Sequence, residues 1–182
     1  MRNKIPNKKV FLLTLFILSQ FETTPAHAAR DNAVGFGVNA ELISAPDVQE
    51  NSLNVFFKYG INFTHFEIGP TLKLSFYDYG FGANTDYLGG LYFDYNLVEN
   101  TSSKDFIYGP TVEIGMGNKN YGSDGRAQIT QMKAGGFFTW FLSKSSLAVK
   151  AEFGYAQRII NRVGLATTTK GVMSQIYFDY YF

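Results

Sequence analysis

The stretch Val172-Met173-Ser174-Gln175-Ile176-Tyr177-Phe178-Asp179-Tyr180-Tyr181-Phe182 ends the chain and decides how the rest is read. As an extended segment it puts Val172, Ser174, Ile176, Phe178, Tyr180 and Phe182 on one face and Met173, Gln175, Tyr177, Asp179 and Tyr181 on the other. The first face is almost wholly apolar. The second carries an amide, a carboxylate and phenol hydroxyls, which need partners if that side is buried.

The same alternation recurs back through the chain. Val34, Phe36, Val38, Ala40 and Leu42 oppose Gly35, Gly37, Asn39 and Glu41 within Ala33 to Ser44. Leu53, Val55, Phe57, Tyr59 and Ile61 oppose Asn54, Phe56, Lys58 and Gly60. Phe66 to Phe76 sets Ile68, Pro70, Leu72 and Leu74 against Glu67, Gly69, Thr71, Lys73 and Ser75. Tyr87 to Asn96, Phe106 to Met116, Met132 to Leu142 and Leu147 to Tyr155 repeat the pattern, and the terminal stretch makes eight strands. Pro70 cannot donate to a ladder, so a local bulge is expected there. Gly109-Pro110-Thr111 repeats Gly69-Pro70-Thr71, as a duplicated hairpin would. Loops are expected at Ala45 to Asn51, Asp78 to Asp86, Asn118 to Arg126 and Arg158 to Thr169. Shorter turns are expected near Asn62, at Glu99 to Lys104 and at Ser143 to Ser146. On average, long and short connections alternate, which would place them at opposite ends, with both termini at the short-turn end.

Composition narrows the class. The 182 residues suggest one domain, and aromatics at 17% match charged residues at 17%, an aromatic-rich, charge-poor balance. No cysteine is present, which excludes disulfides, thiolate metal sites and a lipidated amino-terminal cysteine. Met1 to Lys9 carries Arg2, Lys4, Lys8 and Lys9, Val10 to Leu18 is apolar, and Ala26-His27-Ala28 fits a cleavage site. Residues 1–28 therefore read as a cleavable signal peptide, too short in their apolar run for the about 20 residues of a membrane helix. The remainder, 29–182, is slightly acidic, which gives no support to nucleic-acid binding.

An aromatic last residue preceded by Phe178 and Tyr180 resembles the terminal strand of bacterial outer-membrane β-barrels. That resemblance implies that Phe178, Tyr180 and Phe182 form the signal read by the barrel-assembly machinery. Leader, eight alternating strands and aromatic outward faces together resemble the small eight-stranded outer-membrane barrel family over the whole of 29–182. The expected fold is all-β: a closed antiparallel up-and-down transmembrane barrel, located in the outer membrane after export. Tyr59, Tyr87, Tyr95, Tyr108, Trp140, Tyr155 and Tyr180 would form its aromatic girdles.

If the apolar sets face lipid, Glu41, Lys58, Glu67, Lys73, Asp94, Glu113, Lys133, Lys150, Glu152, Gln175 and Asp179 face inward. Eight strands leave room for side chains only, so an ionic network that plugs the lumen is expected. Gly35, Gly37, Gly90, Gly135 and Gly154 would be the places for a narrow water path if the lumen were instead a pore. The family also includes lipid A-modifying enzymes that use a His with a Ser and an acid. Here His65 is the only histidine after the leader, and the nearest serine ahead on its strand is Ser75. No catalytic residue, metal ligand or cofactor is assigned. Lys119, Arg126, Arg158, Arg162 and Lys170 fall in the expected long loops, where contact with lipopolysaccharide phosphates is expected. The leading expectation is a non-enzymatic outer-membrane protein that supports the envelope and presents loops to lipopolysaccharide or a partner. The alternatives are a lipid A-modifying enzyme and a small-solute pore.

Overall fold

Eight strands follow one another round a closed antiparallel barrel in chain order, in a computed structural model that describes residues 30, 32–44, 52–78, 83–101, 103–120, 125–142, 146–162 and 164–182. They are β1 (Asn32–Ser44), β2 (Ser52–Asn62), β3 (Phe66–Asp78), β4 (Ala83–Tyr95), β5 (Phe106–Asn120), β6 (Arg126–Phe141), β7 (Leu147–Arg162) and β8 (Leu165–Tyr181). The expected leader and Tyr121 lie outside the described residues. β8 closes against β1 to the last residue: the Asn32 N–H donates to Phe182 O at 3.1 Å and the Phe182 N–H to Asn32 O at 3.0 Å.

Register fixes the shape. A walk through paired residues Asn32, Ile61, Ile68, Phe93, Val112, Ala134, Tyr155 and Val172 returns to β1 at Leu42, ten residues along from its start (42 against 32). At ~3.3 Å per residue and ~4.8 Å between eight strands, that stagger tilts the strands by roughly 40°.

The alternation expected from the sequence is the alternation of burial. In β5 it is unbroken from Phe106 to Gly117, odd positions buried and even positions exposed. Tyr95, Tyr108, Trp140 and Tyr180 gather on the outside near the end carrying the termini, and Tyr87 and Tyr155 lie toward the other end. Between them lie Phe57, Leu91, Phe93, Val112, Phe153 and Ile176, all exposed.

Gly-Pro-Thr has a structural meaning, though not a bulge. β2 and β3 pair as Lys58↔Thr71 and again as Ile61↔Ile68, the same register on both sides of a break at Gly69-Pro70. A Cβ on Gly69 would overlap the carbonyl of Tyr59, and one on Gly109 that of Tyr95. Each motif lets the preceding strand's carbonyl press in where proline offers no N–H.

Three of the expected loops are partly strand, and Ala45 to Asn51 lies outside the described residues. β5 and β6 remain paired to Asn120↔Arg126, and β7 and β8 to Arg162↔Leu165, where Gly164 (φ 80°) occupies a two-residue connection. With these extensions the connections run over 45–51, 79–82, 121–125 and 163–164 at one end and 63–65, 96–105 and 142–146 at the other. The longest is 96–105, at the end of the termini. The expected division into a long-loop end and a short-turn end is therefore overturned: hairpin extension, not loop length, distinguishes the two ends.

Candidate functional site: the barrel lumen

Inward positions of all eight strands converge on a narrow interior, and their chemistry is set by parity. One residue separates the members of each pair Lys58/Gly60, Lys150/Glu152 and Glu113/Gly115, so a charged group and its neighbour on the same face enter the lumen one step apart. Lys58 Nζ lies 3.3 Å from Glu67 Oε1 and 3.5 Å from Asp179 Oδ2. Lys150 Nζ pairs with Asp94, lies 3.5 Å from Glu67 Oε1 and reaches Glu152 Oε1 at 3.9 Å. Lys133 Nζ lies 2.9 Å from Glu113 Oε2, 2.5 Å from Glu152 Oε2 and 2.7 Å from Gln175 Oε1. Three ammonium groups thus link five carboxylates in one continuous chain from Asp179 to Glu113.

Phenols and rings complete it. The Tyr92 hydroxyl donates to Glu67 Oε1 at 2.6 Å, the Tyr181 hydroxyl to Glu67 Oε2 at 3.3 Å and the Tyr177 hydroxyl to Gln175 Oε1 at 2.6 Å. Lys58 Nζ stands over the rings of Tyr92 and Tyr177 at 4.7 and 4.8 Å. Glu67 is the hub: two lysines and two phenols meet its carboxylate. Asp179 is less well served, since neither of its oxygens accepts a hydrogen bond and Lys58 at 3.5 Å is its ionic contact.

The glycines do not leave open space. A Cβ on Gly35 would collide with Asp179 and Lys58, and one on Gly60 with the Tyr92 hydroxyl and Glu67. At Gly37 the room is taken by Tyr177 and the backbone beside it, and at Gly90, Gly135 and Gly154 neighbouring backbone fills it. These residues admit the network and the close approach of strands; they do not open the space that the alternative, a narrow water path, would use.

Further toward the hairpin tips the lumen changes. Lys73, Lys119 and Arg158 are buried there with Asp86, Ser75 and Gln131. Gln131 Oε1 accepts from Arg158 Nε at 3.2 Å and Nη2 at 2.8 Å, and the Asn120 N–H donates to Asp86 Oδ1 at 2.9 Å. Lys119 and Arg158 are thus corrected from loop residues to interior ones, 2% and 9% exposed, on β5 and β7. Arg126 and Lys170 are exposed and Arg162 half-buried on hairpin extensions. Glu41 lies on β1 opposite Met173; its side chain is outside the described residues.

Sequence reasoning missed Asp86, Gln131, Lys119 and Arg158 as interior groups. The signal was parity: two steps back from Lys133 is Gln131, and three inward steps on from Glu113 and Glu152 are Lys119 and Arg158.

At the opposite mouth an apolar cluster of Ala33, Ile107, Phe137, Phe141, Ala148 and Tyr181 underlies the network. Arg30 covers it, its guanidinium 3.3 Å from the Phe141 ring centroid and donating to Thr101 O at 3.1 Å and Lys104 O at 3.2 Å. Burial pulls the Arg30 pKa below its ordinary value, opposed by Tyr181 and Asp105. The amides of Asn62, Asn96 and Asn100 near this mouth are buried without hydrogen-bond partners. Left dry, such groups cost about 1–3 kcal/mol each.

His65 sits in the 63–65 connection, its Nε2 4.0 Å from Glu99 Oε1 and both side chains more than half exposed. Ser75 is buried far up the same strand, roughly 30 Å along it at ~3.3 Å per residue. The structure does not bring His65 and Ser75 together. Phe178 is exposed on β8, and Tyr180 stacks on Phe182 with ring centroids 6.2 Å apart. No family model matches this chain, and no curated protein or solved structure matches it.

Proposed function

We propose that this chain is a non-enzymatic bacterial outer-membrane β-barrel protein whose plugged polar lumen passes no solute and whose role is to support the envelope while presenting its hairpins to lipopolysaccharide or a partner. The observation that carries the reading is the unbroken lysine–carboxylate chain inside a barrel whose exterior is apolar. A closed barrel pairs every strand edge, as hydrocarbon requires. An apolar surface this continuous exceeds what a water-soluble monomer exposes. The aromatic residues near each end of the band fit the two headgroup levels.

An even strand number puts both termini at one end. A leader over 1–28 would deliver 29–182 to the periplasm, so that end is assigned there and the extended hairpins outside. Arg126, Arg162 and Lys170 are then the cations placed to meet lipopolysaccharide phosphates, arginine by two parallel N–H bonds. Lys119 and Arg158 leave that set. Phe178, Tyr180 and Phe182 are assigned to recognition by the assembly machinery: deleting Phe182 is expected to lower outer-membrane yield in cells while the chain still refolds in detergent. Normal cellular yield would refute that role.

Purified protein in planar bilayers tests the plug. The expected result is no steady single-channel conductance, with conductance appearing after Lys133→Ala; steady conductance of the parent protein overturns the reading. Mass spectrometry of lipid A tests the non-enzymatic part, which a changed acyl pattern that disappears with His65→Ala would sink.

A further inference from the structure

The two sides of the mouth that carries the termini are held differently. One side, the 96–105 connection, is tied down by backbone bonds: the Asn96 N–H donates to His65 O at 2.7 Å, the Leu97 N–H to Tyr108 O at 2.9 Å and the Asn100 N–H to Thr64 O at 2.8 Å, while Asp105 O accepts from the Phe141 N–H at 2.8 Å. The other side is Arg30, two residues before Asn32, where β1 bonds to Phe182. It is held through its guanidinium, which lies on the Phe141 ring and donates to Thr101 O and Lys104 O. Beneath it Phe141, Ala148 and Tyr181 are each 1% exposed. The same side chain lines a recess with Asn62 and Asn100, whose four amide atoms are sealed from water and have no hydrogen-bond partner.

We propose that Arg30 is the latch of a lid over this mouth. The shut state is that of the structure; in the open state the guanidinium leaves the Phe141 ring and water enters beneath it. Opposite terms balance the two. Shut, the guanidinium has a ring face and two carbonyl acceptors. Shut, the mouth also holds two carboxamides dry, a cost that opening removes by hydrating them. A mouth whose polar groups were all paired would gain nothing by opening, whereas this one does, and a second state is thereby kept within reach. The moving part is Arg30 and not the connection, because opening on that side would break the backbone bonds to Thr64, His65, Tyr108 and Phe141. Below the latch, Phe141 packs on Tyr181 with ring centroids 5.1 Å apart, and the Tyr181 hydroxyl reaches Glu67. Opening therefore bares the terminus-side end of the ionic chain, and the lid is a second closure in series with the plug.

The lid goes beyond the non-conducting reading and does not depend on it: a leaky plug would be seen in planar bilayers and would leave the following test intact. The chain has no cysteine, so one introduced thiol is the sole labelling site. Ala148→Cys places it opposite Phe141, under the latch; in a separate protein Ser75→Cys places it among the buried groups toward the hairpin tips. Each detergent-refolded barrel is reacted with methyl methanethiosulfonate, and heat-modifiable migration checks folding. The Ala148→Cys protein is expected to label slowly, and about tenfold faster once Arg30→Ala is added, because the rate follows the open population. The Ser75→Cys protein is expected to label at the same rate with or without Arg30→Ala. Where Ala148→Cys does not fold, Thr139→Cys takes its place, nearly isosteric, fully buried and two residues along β6 from Phe141 on the same face. Labelling under the latch that Arg30→Ala leaves unchanged, or that rises equally at Ser75→Cys, overturns the proposal.

Discussion

In the half of the lumen nearer the termini, Lys58, Lys133 and Lys150 face Glu67, Asp94, Glu113, Glu152 and Asp179; in the half nearer the hairpin tips, Lys73, Lys119 and Arg158 face Asp86 among the described residues. Of these described residues, the inner set has two carboxylates more than ammonium groups and the outer set two cations more than carboxylates. The inner half meets its surplus with phenol donors and with lysines shared between acids. The outer half uses the amide oxygen of Gln131 and is walled by Leu88 and Ile129. The exterior changes in step. Phe57, Phe93, Val112 and Phe153 surround the inner half, whereas the outer one is bordered by polar Asn118, Gln128, Thr130 and Lys170 on the side of β5 to β8 and by Phe76 and Tyr87 on the side of β3 and β4. A group in the inner half is thus enclosed by protein inside and apolar surface outside, which makes the loss of a partner there more costly than the same loss near the tips.

The sharpest break of this contrast is at Glu67. Glu67→Ala removes the shared acceptor of Lys58, Lys150, Tyr92 and Tyr181. Removing one partner of a buried ion pair costs about 3–5 kcal/mol. Urea unfolding of the refolded barrel, followed by the fluorescence of Trp140, is expected to show a loss of that size, with Glu67→Gln between it and the parent. A loss below about 1 kcal/mol would put the hub in water and remove the difference between the halves.

The outside gives the next contrast. Phe57→Lys, at the height of the network, is expected to cost about 2–4 kcal/mol in lipid, and Gln128→Lys, above it, about 0–1 kcal/mol. Refolding yield into vesicles, read as heat-modifiable migration, checks both. Equal tolerance would mean that the apolar band does not face lipid.

The same contrast explains what could be read from the sequence. Around Phe106 to Met116, hydrophobic and polar residues alternate because one side is apolar surface and the other a polar lumen, and eight strands and their facing follow from that. Beyond about Asn118 and Arg158 both faces meet polar surroundings, so the alternation fades while the ladder continues to Asn120↔Arg126 and Arg162↔Leu165. Absence of alternation was therefore no sign of a loop. Thr167 to Thr169, β-branched on both faces, and Gly164 at a tight connection are the local signals that a hairpin persists. The candidate site divides likewise. Lys58, Glu67, Lys150 and Glu152 were legible by parity, but their order in the chain of contacts was not, because it depends on which strands the stagger brings to the same height. Of the three unpartnered asparagines, Asn62 and Asn96 continue the inward parity of Lys58 and Asp94, but Asn100 carries no periodic signal: it lies in a connection, and its place at the mouth comes from one backbone bond to Thr64.

In the outer half the corresponding test is Gln131→Leu, nearly isosteric but unable to accept from Arg158. Two N–H groups of a buried guanidinium lose their acceptor, which costs about 1–3 kcal/mol, less than at Glu67 because the tips admit water and the side chain can turn toward it. The same urea titration measures it. A loss as large as that of Glu67→Ala would show the outer half to be as dry as the inner one.

The smallest effect is expected from Arg158→Lys, and it separates charge from shape at one position. Lysine keeps the cation in a region where the described cations outnumber the carboxylates, so the balance between the halves is unchanged. It cannot reproduce the paired contact in which Arg158 Nε and Nη2 both donate to Gln131 Oε1, at 3.2 and 2.8 Å. One ammonium donor in place of two guanidinium donors should cost about 1 kcal/mol. If charge is what the outer half requires, Arg158→Lys stays within that margin while Arg158→Met falls further, despite its similar length and apolar surroundings at Leu88 and Ile129. If Arg158→Met is instead the more stable variant, the surplus cation is a burden that the fold tolerates, and the opposed charges of the two halves do not hold the barrel together.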